Sequence, residues 1–177
     1  MLITAGKRRI HYDFVGPETG PVVCMAHALS ADSGVWVEQA PPLLAQGWRV
    51  LRLDMRGHGG SDPVAGDYAM SDLAQDVALV LDVLGLDRVH FVGLSIGGMI
   101  GQTLAIEHGD RLSSLMLCGT SAQAVPGGMA MWEARFAAIR SAESVEPLAE
   151  DTMRRWFTYA FKPRRPDQWK QIRDTIA

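Results

Sequence analysis

The sequence predicts an α/β fold in which a mostly parallel sheet carries helices on both faces. Residues 21–26 form a continuous apolar run with the length and composition of a strand covered on both faces. Residues 48–53 are predicted to be a second buried strand, and residues 112–118 a further apolar strand. Residues 72–84 instead repeat leucine and valine at helical spacing. Strands that alternate with helices need crossover connections, so the sheet should be parallel over most of its width.

Two segments before the strand at residues 48–53 carry weaker signals of secondary structure. Residues 7–15 alternate in the β manner and are followed by a turn cluster at residues 16–20, so we expect an outer hairpin strand. Residues 33–46 have helical spacing but contain Pro41 and Pro42. Because proline lacks an amide hydrogen, this helix should be kinked or interrupted.

Capping signals mark the limits of the next helix. Asp72, with Gln75 three residues later, is the predicted N-cap, and Gly85 is predicted to end the helix in the position that favours glycine. We therefore expect the helix to begin after Asp72 and to end before Gly85.

The character of the chain changes beyond Gly119, where we predict no further strand. Residues 125–128 form a breaker rich in glycine and proline. Three helical stretches follow, at residues 131–140, 147–161 and 167–176. We interpret residues 1–121 as the N-terminal part of the sheet-containing core and residues 122–177 as an incomplete helical cap.

Composition excludes several classes of protein. A chain of 177 residues with 47% hydrophobic and 21% charged residues can bury one ordinary core. The net charge of −3 gives no reason to expect nucleic acid or an anionic membrane as a partner. Cys24 and Cys118 lie in apolar runs and are predicted to be buried free thiols. Neither a signal peptide nor an apolar run of eighteen residues is evident, so we expect a cytoplasmic protein.

The segment Gly93-Leu94-Ser95-Ile96-Gly97 has the pattern of a nucleophile elbow. A β-rich run, residues 88–92, precedes it, and a helical run, residues 99–108, follows it. In such a turn the serine needs neighbours without side chains two positions before and after it, because strand and helix pass closely there. The serine hydroxyl would then lie at a helix N-terminus, which favours developing negative charge.

Together with the loop Asp54-Met55-Arg56-Gly57-His58-Gly59, this elbow resembles the α/β-hydrolase superfamily. Within it, the sequence from Gly93 to Gln102 is most similar to 3-oxoadipate enol-lactonases and related small-ester carboxylesterases. The resemblance implies that Ser95 is the nucleophile and that no metal or organic cofactor is needed. It further implies an oxyanion hole made of the backbone N–H groups of Ile96 and Leu29. Ala28 stands where this family usually has glycine, so the path of the loop is less tightly specified.

The family order of catalytic residues is serine, acid, histidine, and this chain lacks a histidine in the expected place. His108 lies thirteen residues along the elbow helix, about 20 Å from Ser95 at 1.5 Å per residue. His11 and His90 fall within predicted strands, and the resemblance gives His27 a structural role at the oxyanion loop. His58 would break the chain order. We therefore expect the acid and histidine of the triad to lie outside this chain, on a C-terminal polypeptide segment that completes the fold.

These observations predict a serine hydrolase that cleaves a carboxylic ester or a lactone through an acyl-enzyme. The alternative is an inactive truncated hydrolase or a non-enzymatic binding scaffold. Perhydrolysis would use the same triad and stays open. In the cap, Trp132, Arg135 and Trp156 are the predicted substrate-binding residues. Arg135 or Arg154 could pair with the carboxylate of an acidic lactone, and the alternative for either arginine is a solvated surface position.

Overall fold

The computed structural model describes residues 1–5, 8–123 and 126–177, and the first part of the chain is built around a β-sheet. Within these residues the sheet has six strands in the order β1-β2-β4-β3-β5-β6. The strands are β1 (Leu2–Ala5), β2 (Arg8–Val15), β3 (Val22–Ala26), β4 (Arg49–Leu53), β5 (Val89–Leu94) and β6 (Leu112–Cys118). The four strands β4, β3, β5 and β6 are parallel, whereas β1 and β2 are antiparallel additions at one edge. The predicted α/β class is confirmed.

Helices cover both faces of the sheet. They are α1 (Ala40–Ala45), α2 (Met70–Val83) and α3 (Ile96–Glu107), with short 3-10 helices at Ser33–Trp36 and Gly109–Arg111. Strand β3 is buried along its whole length, and its side chains divide between two cores. Cys24 and Ala26 pack with residues of α2 and α3, whereas Val23 and Met25 pack with Trp36 and α1. This division explains why the strand has no polar alternation.

The predicted interruption of residues 33–46 is present, and its cause is visible. A 3-10 helix ends at Trp36, and α1 begins only at Ala40. Pro41 and Pro42 occupy the first turn of α1, where amide hydrogens have no intrahelical acceptor and proline loses little.

The predicted N-cap of α2 is wrong by one turn. The N-cap is Ala69, and Asp72 lies at the third helical position, where its carboxylate accepts a hydrogen bond from the Ala69 amide at 2.9 Å. An aspartate can accept such a bond from either position, so the sequence pattern alone did not distinguish them. Gly85 follows the helix with a φ of 63°, as predicted.

Strand β6 has the predicted limits, whereas β1 carries no sequence signal that we recognised. Cys24 is buried, but Cys118 is only partly buried, which corrects the expectation for that residue. Both thiols are free. Residues 7 and 125, at the start of a predicted strand and of a predicted breaker, lie outside the described residues.

Residues Gln123–Ala177 form a second compact unit, separate from Met1–Ala122. Its helices are α4 (Gly128–Ala142), α5 (Glu146–Trp156), α6 (Phe161–Arg164) and α7 (Pro166–Ile176). The described residues beyond Gly119 contain no strand. A small core of Ala149, Met153, Trp169 and Ile176 holds α5 to α7. The predicted helix 147–161 is too long, because α5 ends at Trp156 and the next helix, α6, begins only at Phe161. Across the described residues, no helix has the length and apolar character needed to span a membrane.

Candidate active site

The elbow lies at the carboxyl edge of the parallel strands. Strand β5 ends at Leu94, helix α3 begins at Ile96, and Ser95 alone makes the turn with φ 55° and ψ −115°. A non-glycine residue in this conformation stores about 1–3 kcal/mol of strain, which must be balanced by its surroundings. The Ser95 amide donates to the carbonyl oxygen of Cys118 at 2.9 Å, and the Ser95 carbonyl accepts from the Gly98 amide at 2.9 Å. These bonds fix the turn from both sides.

Two glycines make the turn possible, as the sequence predicts. A Cβ on Gly93 would lie 2.2 Å from the carbonyl oxygen of Gly97. A Cβ on Gly97 would lie 2.4 Å from the carbonyl oxygen of Ala26 and 2.8 Å from that of His27. All these neighbours are backbone atoms and cannot rotate away. The first turn of α3 therefore touches the end of β3 and the loop that follows it.

That loop contains a tight turn at residues 28–31. The Ala31 amide donates to the carbonyl of Ala28 at 3.1 Å, and Ser30 has a φ of 61°. The backbone amides of Leu29 and Ile96 donate no hydrogen bond to any group within the described residues. An oxyanion hole needs donors of this kind. Ile96 directly follows Ser95, and Leu29 lies in the loop whose first residue, His27, is approached by Gly97.

His27 fastens this loop to the interior. It is fully buried; its Nε2 accepts from the Met55 amide at 2.9 Å, and its Nδ1 lies 2.8 Å from the carbonyl oxygen of Ala28. Both contacts are satisfied by a neutral ring that carries its hydrogen on Nδ1. Burial lowers the pKa of His27 to about 4, against a smaller opposing effect of the Ala28 carbonyl. The structure places His27 in the structural role that the family resemblance implies.

Asp54, directly after β4, joins the same loop to the glycine-rich segment. Its buried carboxylate accepts from the amides of Ser33 at 2.7 Å and Gly60 at 2.9 Å. Burial alone would raise the pKa of this carboxyl, but the two amide donors and the nearby His11 outweigh burial and lower it. Asp54 is therefore an ionised structural group. Nδ1 of His11 lies 2.8 Å from its Oδ2, although without the geometry of a hydrogen bond.

The other histidines are also engaged or distant. Nε2 of His58 accepts from the Ser30 amide at 3.2 Å, and Nδ1 of His90 lies 2.8 Å from Oγ of Ser114. His108 follows the last residue of α3, at the opposite end of the helix from Ser95. Within the described residues, no group of three His, Cys, Asp or Glu side chains is arranged to hold a metal ion.

Sequence reasoning missed a buried ionic cluster beneath the glycine-rich loop. Arg56 donates from Nε to Asp76 at 2.7 Å and from a terminal nitrogen to the Asp72 carbonyl at 2.8 Å. Arg8 donates to the other oxygen of Asp76 at 2.6 Å. The available signal was an arginine three residues after the end of a largely buried strand, where its side chain could turn inward as well as outward.

The predicted substrate-binding residues lie in the second unit and do not all come together. The Trp132 ring is 5.8 Å from that of Phe136, and the Arg135 guanidinium lies 4.9 Å from the Trp132 ring. Burial, followed by the nearby Arg155, lowers the pKa of Arg135. Trp156 packs instead against the core of α5 to α7.

A strained serine between a parallel strand and a helix, with free amides on neighbouring segments, defines a protein of the α/β-hydrolase type. The model of the alpha/beta hydrolase fold family matches residues 21–171, and the chain belongs to that family. The resemblance found in the motifs is thereby confirmed.

The chain is similar to enol-lactonases and to an esterase. The chain is 29% identical over 175 residues to 3-oxoadipate enol-lactonase 2 of Acinetobacter baylyi, covering 99% of this chain and 64% of that protein. The crystal structure of the enol-lactonase from Burkholderia xenovorans LB400 is 33% identical with a TM-score of 0.90, covering 99% of this chain and 67% of that one. A thermophilic esterase from Thermogutta terrifontis is 27% identical with a TM-score of 0.88, covering 99% and 65% respectively. The chain thus spans less than two thirds of the curated enol-lactonase to which it is similar.

Proposed function

We propose that this chain carries the nucleophile of a serine hydrolase that cleaves a carboxylic ester or a lactone. Ser95 would attack the carbonyl carbon and form an acyl-enzyme, and the amides of Leu29 and Ile96 would stabilise the oxyanion. The observation that carries the proposal is the turn at Ser95, whose strained backbone is fixed next to the unpaired Ile96 amide. The helix that follows it packs against the start of the loop that contains Leu29. Similarity to an enol-lactonase and an esterase supports the substrate class.

The proposal needs a base, and we propose that a further polypeptide segment supplies it together with the acid. The five histidines of the chain support this, because each lies in a structural contact or far along α3 from Ser95. Strand β6 supports it too, since it is at the edge of the sheet and exposes Met116 and Leu117. Such an edge is a place where another strand can pair.

Covalent labelling tests the nucleophile. A fluorophosphonate probe should label the complete protein at Ser95, and the Ser95→Ala variant should not react. Intact mass analysis of the same sample should then reveal the polypeptide that carries the histidine, either continuous with this chain or bound to it. A wild-type protein that resists the probe while a reference esterase reacts would contradict the proposal.

A non-enzymatic binding scaffold, or an inactive fragment, is the alternative. The histidines favour it if mass analysis finds no additional polypeptide, because each of the five is held in a structural contact or is distant from Ser95. In that case the protein should neither react with the probe nor hydrolyse short-chain esters or enol-lactones. Perhydrolysis is separated from hydrolysis by assaying the same preparation with peroxide and acetate.

We also propose that Trp132 and Arg135 recognise an acidic substrate. The Arg135 side chain forms no ion pair within the described residues and stacks on an aromatic ring, so its charge is available to a carboxylate. Replacing Arg135 with glutamine should raise KM for a lactone that bears a carboxylate and leave KM for a neutral ester unchanged. Trp156 stays a prediction, although its packing within the helical unit also accounts for an aromatic residue there.

A further inference from the structure

Two loops at the carboxyl edge of the sheet hold each other through a reciprocal pair of histidines. His27, after β3, accepts the amide of Met55 in the glycine-rich loop, and His58, in the glycine-rich loop, accepts the amide of Ser30. Their rings lie 5.2 Å apart at an angle of 56°. The structural role of His27 follows from the family resemblance, whereas no role has been assigned to His58.

His58 accepts its hydrogen bond from the amide of Ser30, and the position of Ser30 in its turn makes this amide important. In the turn at residues 28–31, Ser30 is the third residue and has positive φ, whereas Leu29 does not. This combination is typical of a type II turn, in which glycine is preferred at the third position. Types I and II differ by a flip of the peptide between the second and third residues, and the hydrogen of that peptide is the Ser30 amide. Accepting this hydrogen therefore selects one orientation of the peptide.

His58 is itself well placed to act as a fixed acceptor. Its own amide donates to the carbonyl of Met55, and its carbonyl accepts from the amide of Ser61, both at 3.0 Å, so tight turns flank it on each side. Its Nδ1 lies 3.2 Å from the carbonyl oxygen of Arg56, which suits a hydrogen on Nδ1 and leaves Nε2 free to accept. The ring is therefore oriented from within its own loop before it meets Ser30.

We propose that His58 is a positioning residue for the oxyanion hole, because it holds the Leu29–Ser30 peptide in the strained orientation that sets the path of the turn. The proposal rests on the proposed function, in which the Leu29 amide binds the oxyanion. Without the acceptor, a serine at position 30 would gain by relaxing to negative φ, and the adjoining Leu29 would shift with it. Oxyanion donors act only when their positions are fixed in advance.

A set of four variants of the complete protein tests this. His58→Leu keeps bulk and removes the acceptor, and His58→Gln places an amide oxygen near the former Nε2. Ser30→Gly removes the cost of positive φ, so the turn should no longer need His58. The double variant Ser30→Gly with His58→Leu completes the cycle.

The rate of labelling of Ser95 by a fluorophosphonate and kcat for an ester substrate are the first readouts. We expect His58→Leu to lower both about tenfold with KM little changed, the scale of one lost hydrogen bond. His58→Gln and the double variant should recover to within about threefold of the wild type. A wild-type rate in His58→Leu, or a double variant as slow as His58→Leu, would overturn the proposal.

Hydrogen exchange at the Ser30 amide, measured by NMR, separates this inference from the proposed function. Exchange should accelerate about tenfold in His58→Leu and stay slow in His58→Gln. If the wild-type protein is not labelled at Ser95, the proposed function fails, yet this exchange result still decides whether His58 holds the turn. Unchanged exchange in His58→Leu would overturn the positioning role whatever the labelling shows.

Discussion

Replacing Gly97 with alanine tests how closely helix α3 approaches strand β3. The new Cβ would lie 2.4 Å from the Ala26 carbonyl oxygen, so the helix would have to move by about 1 Å to reach ordinary contact. Overpacking of this kind costs about 1–3 kcal/mol, whereas the better helix propensity of alanine offsets about 1 kcal/mol. We expect a net loss of up to about 2 kcal/mol in the free energy of unfolding.

The same movement would displace the amide of Ile96. Because a misplacement of about 1 Å can reduce rates about 100-fold, labelling of Ser95 should slow by that order. Gly109→Ala is the matched control, since a Cβ there has no atom within 4 Å. Urea unfolding of both variants measures stability, and fluorophosphonate kinetics measures the site. If Gly97→Ala were as stable and as reactive as Gly109→Ala, the close contact of α3 with the end of β3 would not exist in solution.

Three further predictions concern buried groups. Because burial lowers the pKa of His27 to about 4, the unfolded chain takes up a proton first on acidification. The contribution of neutral His27 to the free energy of unfolding should therefore be complete above pH 6.5 and fall by about 3 kcal/mol as the pH drops to 4. In urea unfolding measured at each pH, His27→Gln should remove this pH dependence. Asp76→Ala leaves Arg56 buried without its carboxylate and should cost about 3–5 kcal/mol by the same assay, far more than Arg8→Ala, since Arg8 is partly exposed. Burial raises the pKa of Cys24 to about 12, so a thiol reagent at pH 8 should spare it in the folded protein and modify it after unfolding in urea; rapid modification of Cys24 in the native state would contradict its burial.

Much of the fold could be predicted because its signals are local. The apolar run that became β6 and the elbow around Ser95 depend on neighbours along the chain, and both are found as predicted. The error at Asp72 has the opposite origin. The same carboxylate can serve an N-cap or the third helical position, and only the full helix decides between them.

The parts of the site that sequence reasoning missed depend on contacts between distant segments. The hydrogen bond from Ser30 to His58 spans 28 residues, and no spacing rule connects two loops that follow different strands. Arg56 is similar, because its burial depends on Asp76 in a helix that comes later in the chain. The motif identified the residues of the glycine-rich loop, but their hydrogen-bond partners could be found only from the three-dimensional structure.

The reciprocal histidines have a practical consequence for engineering. The histidine of each loop accepts a hydrogen bond from a backbone amide of the other loop. The conformation of each loop therefore depends on a side chain that the other loop supplies. A chimera that imports residues 27–33 from a relative would therefore need residues 54–61 from the same donor. Transplanting one without the other would leave an acceptor facing the wrong amide, and the grafted turn would lose its intended geometry.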